Sequence, residues 1–211
     1  MISYQASEKV ADVCRLAPVM PVIVIDDVSK AAPLAEALVA GGLTALEVTL
    51  RTTNALKCIS AMAEVSAATV GAGTVLTPTD LEVAQKAGAK FGVSPGLTED
   101  LATAVLRQNF PFLPGVATAS EMMAARDKGF TIQKFFPAEI NGGAKALAAF
   151  KSPLAGILFC PTGGVSPDNA KDYLALENVI CVGGSWVVPK QLIADSDWPG
   201  ITALAEAASN L

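Results

Sequence analysis

The sequence predicts an α/β protein: a single-domain (β/α)8 barrel, or TIM barrel, preceded by an extra N-terminal helix. Two observations carry that reading. Eight short apolar or β-branched runs recur from residue 19 to the end of the chain, and Ala- and Leu-rich segments of helical period stand between them. Strict βα alternation implies parallel strands with right-handed crossovers, and units of about 23 residues suit a closed barrel at the small end of that fold. An open doubly wound sheet is the rival arrangement of the same elements.

The elements follow in order. Residues 5–16, QASEKVADVCRL, read as a helix ahead of the first strand, placed to cover the barrel bottom. The strands are VMPVIVI (19–25), ALEVTLR (45–51), ATVGAGTV (68–75), KFGVSP (90–95), PFLPGVA (111–117), TIQKFFP (131–137), GILFCPTGG (156–164) and VICVGGSW (179–186). The intervening helices are expected at 28–40, 54–65, 79–87, 98–108, 119–128, 143–150 and 167–175, with a closing one at 198–209. TPTD (77–80), LTED (97–100) and SPDN (166–169) offer side chains that cap a helix N-terminus. Glycines in AGG (40–42), at Gly88 and at Gly129 offer the left-handed residue on which helices end. No linker or composition shift divides residues 1–211, so one domain is expected.

The bulk numbers narrow the function. With 211 residues and 52% of them hydrophobic, the chain can bury a large core, and its net charge of −5 with scattered basic residues argues against a nucleic-acid partner. No run reaches the roughly 18 apolar residues of a membrane span, and MISYQASEKV lacks the pattern of a signal peptide, so a cytoplasmic protein is expected. Cys14, Cys58, Cys160 and Cys181 form no CxxC pair and read as reduced packing residues. The chain contains no histidine. That excludes a Ser-His-Asp triad, a Cys-His pair and any histidine-ligated metal, leaving Glu, Asp, Lys, Tyr, Cys or water to carry protons.

Parity on the strands brings chemistry together. In ALEVTLR, Glu47, Thr49 and Arg51 share one face; in TIQKFFP, Ile132, Lys134 and Phe136 share one. If both faces point into the barrel, a carboxylate, a guanidinium and an amine converge; a structural ion pair between Glu47 and Arg51 is the lesser alternative. Two glycine pairs, in PTGG (161–164) and GGS (183–185), end the last two strands, where barrels commonly hold phosphate. A lysine in an apolar cavity beside an arginine is drawn towards its neutral amine, a nucleophile for a ketone. The resulting Schiff base is an electron sink, Glu47 is the candidate proton carrier, and Arg51 suits a substrate carboxylate. The substrate derived from these features is a phosphorylated 2-oxo acid. A phosphosugar isomerase or epimerase on the same barrel and a non-catalytic phosphosugar-binding protein are the rival readings; the first needs a second interior carboxylate or a histidine, and the second has no use for the lysine.

EVTLRT, GAGTVL, SPGLTE, KFFPAE, CPTGG and GGSW, in this order and spacing, resemble the bacterial 2-keto-3-deoxy-6-phosphogluconate (KDPG) aldolases of the Entner–Doudoroff pathway, within the KDPG/4-hydroxy-2-oxoglutarate aldolase family. The resemblance implies Lys134 as the Schiff-base lysine and Glu47 as general acid/base. It implies Arg51 and Thr74 at the pyruvyl carboxylate, Pro95 and Phe136 as pocket walls, and Thr162 at the substrate hydroxyls. It assigns Gly163, Gly164, Gly184 and Ser185 to the phosphate. It further implies a homotrimer, no metal or other cofactor, and an added activity on 4-hydroxy-2-oxoglutarate. Thr162 favours the gluconate substrate, because relatives acting on the galactonate epimer tend to carry valine there. Gln133 replaces an expected apolar residue, and its parity turns it away from the cavity.

Overall fold

The computed structural model describes residues 6–211. The first element is helix α1 (Ala6–Cys14); Gln5 of the expected N-terminal helix lies outside the described residues. Nine strands follow: β1 (Val19–Ile23), β2 (Ala45–Thr49), β3 (Thr69–Gly73), β4 (Phe91–Val93), β5 (Phe112–Leu113), β6 (Gly115–Val116), β7 (Ile132–Phe135), β8 (Leu158–Pro161) and β9 (Val182–Gly184). Between and after them lie α2 (Ala31–Ala40), α3 (Ala55–Ala63), α4 (Pro78–Lys86), α5 (Glu99–Gln108), α6 (Ala119–Asp127), α7 (Gly143–Phe150), α8 (Ala170–Leu174), α9 (Lys190–Asp195) and α10 (Trp198–Ser209). Among the described residues, no helix is long and apolar enough to cross a membrane.

All strand pairs are parallel. One six-stranded sheet runs β5-β4-β3-β2-β1-β9 and one three-stranded sheet runs β6-β7-β8. The expected strand at 111–117 is split at Pro114, which has no N–H to give a ladder. The carbonyl of Pro114 still accepts from the Lys134 amide at 2.8 Å, so β5 serves β4 and β6 serves β7. At the other seam, bridges Phe159↔Val179 and Thr162↔Gly183 tie β8 to the β9 segment.

The two faces of these strands bury two separate sets of side chains, as alternation requires. Leu46, Val48, Val70, Ala72, Phe135 and Phe159 pack outward against helix residues such as Leu34, Ile59, Leu81 and Val105. Met20, Ala45, Phe91, Val93, Leu113, Ile132, Cys160 and Cys181 point the other way, and Val10, Ala11 and Cys14 of α1 pack against them. All four cysteines are free and buried. Phe135 meets Phe150 and Phe159 edge-on, with ring centroids 6.5 and 6.4 Å apart.

Local chemistry sets the helix ends. Thr77 accepts from the Asp80 amide while the Asp80 carboxylate takes the Thr77 amide, and Thr118 and Glu121 form the same reciprocal box. The caps at Thr77 and Thr98 fall in TPTD and LTED as expected, whereas the Thr118 box was not anticipated. The sequence reading also misassigns SPDN: α8 starts only at Ala170, and the Asn169 side chain takes the Ser166 amide at 2.8 Å. Pro167 follows Ser166 directly, and Asn169 makes a local side-chain turn in place of the cap. The short helix α9 has too few residues for a hydrophobic period to announce it.

On β3, the inward residues Gly71 and Gly73 carry no side chain, and the space is taken by neighbours. A Cβ on Gly71 would lie 2.4 Å from the fully buried Phe91 ring. Gly71→Ala is therefore expected to cost about 1–3 kcal/mol through overpacking. Gly96→Ala, where an added Cβ meets nothing within 4 Å, should stay within about 0.5 kcal/mol. Urea unfolding of both variants checks the contrast, and equal midpoints would contradict it.

Candidate active site

Because every strand is parallel, the residues just past the strand ends share one edge of the sheets. Arg51 follows β2, Thr74 follows β3, Pro95 follows β4, Phe136 follows β7, Thr162 follows β8 and Ser185 follows β9. Each expected site residue is thus at a C-terminal strand end or on the inward face just beneath it.

At the centre is a buried ion pair. Lys134 Nζ of β7 lies 3.3 Å from Glu47 Oε1 of β2, and the two residues are 6% and 2% exposed. Their side chains point to the face that carries Ala45 and Ile132, while Gln133 and Phe135 point to the helices. Phe136, half-buried, places its ring 5.1 Å from the Lys134 ammonium, a cation–π contact. Neighbouring glycines make the room. A Cβ on Gly73 would stand 2.3 Å from Glu47 Oε1. Gly115, the register partner of Lys134, would place a Cβ 2.2 Å from the Pro95 carbonyl carbon.

Strand β2 ends at Thr49, so Arg51 stands exposed two residues beyond it, and the group that approaches the Lys134 amine is the Glu47 carboxylate. The Arg51 Nε–H donates to Thr49 Oγ1 at 3.2 Å, and the Thr49 hydroxyl donates to the Ile23 carbonyl at 2.9 Å. This chain fixes one edge of the guanidinium, a group whose other N–H donors suit a carboxylate. Thr49, read in sequence only as sharing the parity of Glu47, is the support of that arginine.

Thr74 stands at φ +60° directly after β3. For a β-branched residue this left-handed backbone is strained, and such strain collects where function fixes the chain. Thr162 is buried against β9, and a Cβ on Gly183 would reach within 2.2 Å of its Oγ1, so Gly183 is required for the seat of Thr162. The bridge Thr162↔Gly183 brings the two glycine pairs side by side. Gly163 and Gly164 adopt φ +96° and +80°, Gly184 is buried, and Ser185 is exposed. Neither pair runs straight into a helix, since α8 and α9 begin at Ala170 and Lys190; what they present to an anion is loop backbone N–H rather than a helix terminus. Gly73 and Gly115 were missed in sequence, although the i, i+2 glycines of GAG carry the signal of an empty strand face, and Gly183 was read only as half of a phosphate-loop pair.

An inward amine paired with a carboxylate, with apolar walls, a rim arginine and an anion-ready loop, is suited to covalent catalysis on a carbonyl. The family model "KDPG and KHG aldolase" matches residues 10–204. The chain is 53% identical over 192 residues to the KHG/KDPG aldolase of Escherichia coli strain K12, covering 90% of each chain. It is similar to the crystal structure of the 2-keto-3-deoxy-6-phosphogluconate aldolase of Zymomonas mobilis ZM4 with 3-phosphoglycerate, at a TM-score of 0.91, 51% identity and 96% coverage of each chain. It is also similar to the KDPG aldolase of Legionella pneumophila, crystallised with pyruvate captured at low pH as a covalent carbinolamine intermediate. There the TM-score is 0.92 and the identity 44%, over 95% of this chain and 98% of that one.

Removing one partner of a buried pair leaves the other uncompensated, so Lys134→Met should cost about 3–5 kcal/mol of stability. Adding Glu47→Gln to that variant should recover part of the loss, measured as a higher urea midpoint for the double variant than for the single one. A double variant no more stable than Lys134→Met would contradict energetic coupling of the two groups.

Proposed function

The chain belongs to the KDPG and KHG aldolase family, and from that membership we propose that Lys134 is its Schiff-base nucleophile and Glu47 its acid–base group. The protein is a carbon–carbon lyase that cleaves 2-keto-3-deoxy-6-phosphogluconate to pyruvate and glyceraldehyde 3-phosphate. The observation that carries the residue assignment is the Lys134–Glu47 pair at 3.3 Å, set 87 residues apart in sequence and buried between apolar strand ends.

The pair gives the lysine a local acceptor for its proton. With that proton on Glu47, the Nζ lone pair attacks the C2 ketone, and the carbinolamine loses water to give a protonated Schiff base. Glu47, ionised again, takes the proton of the C4 hydroxyl; the C3–C4 bond breaks, releasing the aldehyde and sending its electron pair into the iminium to form an enamine. Protonation at C3 and addition of one water then release pyruvate and the free amine, so the water lost on entry is returned.

The other residues bind. Arg51, held by Thr49, takes the carboxylate with Thr74; Pro95 and Phe136 wall the pyruvyl end; Thr162 meets the substrate hydroxyls. Gly163, Gly164, Gly184 and Ser185 hold the phosphate through N–H groups and a hydroxyl. The same lysine chemistry extends to 4-hydroxy-2-oxoglutarate, which lacks the phosphate. The finer architecture belongs to this reading: residues 1–211 form one closed (β/α)8 barrel, in which β5 and β6 are halves of one strand and α1 covers the bottom. Support comes from the two parallel ladders, the β8–β9 bridges and the packing of Val10, Ala11 and Cys14 on the inward cluster. A cytoplasmic homotrimer completes it, with the 86%-exposed Ile140 offering apolar surface for assembly.

Steady-state cleavage of KDPG tests the roles. Lys134→Ala should abolish turnover. Glu47→Gln should lower kcat by about 10²–10⁴-fold with little change in KM. Normal turnover by either variant would remove that residue from its role.

A further inference from the structure

We propose that Tyr173 and Glu139 form a positioning pair that sets the Gly163–Gly164 loop for the phosphate end of the substrate; this rests on the phosphate reading of that loop. Neither residue belongs to the lysine chemistry. Glu139 touches the loop directly, and Tyr173 reaches it through Glu139.

The loop is held from one side by the segment that follows β7. The Ala138 amide donates to the Thr162 carbonyl at 2.8 Å, and the Glu139 amide donates to the Gly163 carbonyl at 3.1 Å, extending the β7–β8 ladder past the strands. The stem of Glu139 then lies directly against Gly164, where a Cβ would be 2.5 Å from Glu139 Cγ. Gly164 stands at φ +80°, a backbone that glycine adopts readily, and its missing side chain is what lets the Glu139 stem pack there. From the other side, the Asn169 side-chain amide donates to the Gly164 carbonyl at 3.1 Å. Gly164 is clamped between Glu139 and Asn169.

Tyr173 fixes the Glu139 end of the clamp. Its ring is fully buried in α8, and its hydroxyl donates to Glu139 Oε1. Gly143 leaves the space for this bond: a Cβ there would lie 3.0 Å from Glu139 Oε1 and 3.3 Å from the Tyr173 hydroxyl. Burial, with the Glu139 carboxylate beside it, pushes the phenol well above its ordinary range, so it stays a donor at neutral pH. The geometry explains why a carboxylate is tolerable next to a phosphate loop. The Tyr173 hydroxyl engages Glu139 Oε1 and partly satisfies its charge.

The test separates the two ends of the substrate. Tyr173→Phe deletes one hydrogen bond to a charged group, and KM for KDPG should rise about tenfold with kcat within twofold. Exchange of the methyl protons of pyruvate with D2O, which needs the lysine end and no phosphate, should keep its half-saturation within twofold. Glu139→Ala, at an exposed side chain, should reproduce both results. Glu139→Gln, which keeps the stem and an acceptor oxygen, should restore KM. Equal changes in KDPG cleavage and pyruvate exchange, or no change in KM, would overturn the proposal. The unaltered enzyme is assayed alongside on phosphate-free 2-keto-3-deoxygluconate: a KM equal to that for KDPG would overturn the phosphate reading itself. Strong preference for KDPG that survives in Tyr173→Phe would overturn only the positioning role.

Discussion

The Lys134–Glu47 pair constrains the rest of the molecule. Two charges placed 3.3 Å apart at 6% and 2% exposure cost several kcal/mol each in lost hydration, and mutual attraction offsets this only in part. A hydrophobic pair of the same volume would serve folding as well or better. The place of the ion pair in the fold is accounted for by the proposed chemistry, in which Lys134 is the nucleophile and Glu47 the group that relays its proton. The neighbours that make room for the pair are glycines and an aromatic ring. Gly73 yields its side-chain volume to the carboxylate, Phe136 faces the ammonium, and Gly115 gives Pro95 its place.

A division of labour follows around that pair. The outward strand faces and the helices bury aliphatic and aromatic side chains and supply cohesion; Phe135 among Phe150 and Phe159 is typical. The inward faces are layered instead. Beneath lie Met20, Phe91, Leu113 and Cys181 with α1 packed on them, then the ion pair, then the rim of Arg51, Thr74 and Thr162. Each rim group has a support of its own: Thr49 for Arg51, Gly183 for Thr162, and the Glu139 stem for Gly164. The supports are hydrogen bonds or missing methyl groups, so single-atom changes far from the amine can still reach the substrate.

Much of this was legible in the sequence because alternation has a fixed period. The parity of Glu47 with Thr49, and of Lys134 with Phe136, placed both charged groups on one face, and the absence of histidine directed attention to them. What parity could not give was where a strand stops. Arg51 has the right parity, but β2 ends at Thr49 and Arg51 lies exposed beyond it. The split at Pro114 and the late start of α8 were hidden for a similar reason, since both depend on which backbone groups find partners across the fold. Tyr173 and Glu139 are 34 residues apart and carry no shared motif, so only the folded chain joins them. Gln133 matched expectation in direction: its amide reaches the Met122 and Phe130 carbonyls on the helix side.

The central claim is that Lys134 forms the covalent bond to the 2-oxo acid. The direct measurement is to incubate the protein with pyruvate, reduce with borohydride, digest and locate the adduct by mass spectrometry. One 1-carboxyethyl adduct, the reduced pyruvyl imine, is expected on the peptide that contains Lys134 and on that residue alone. An adduct on another lysine, or none under conditions that trap a known Schiff-base enzyme, would contradict it.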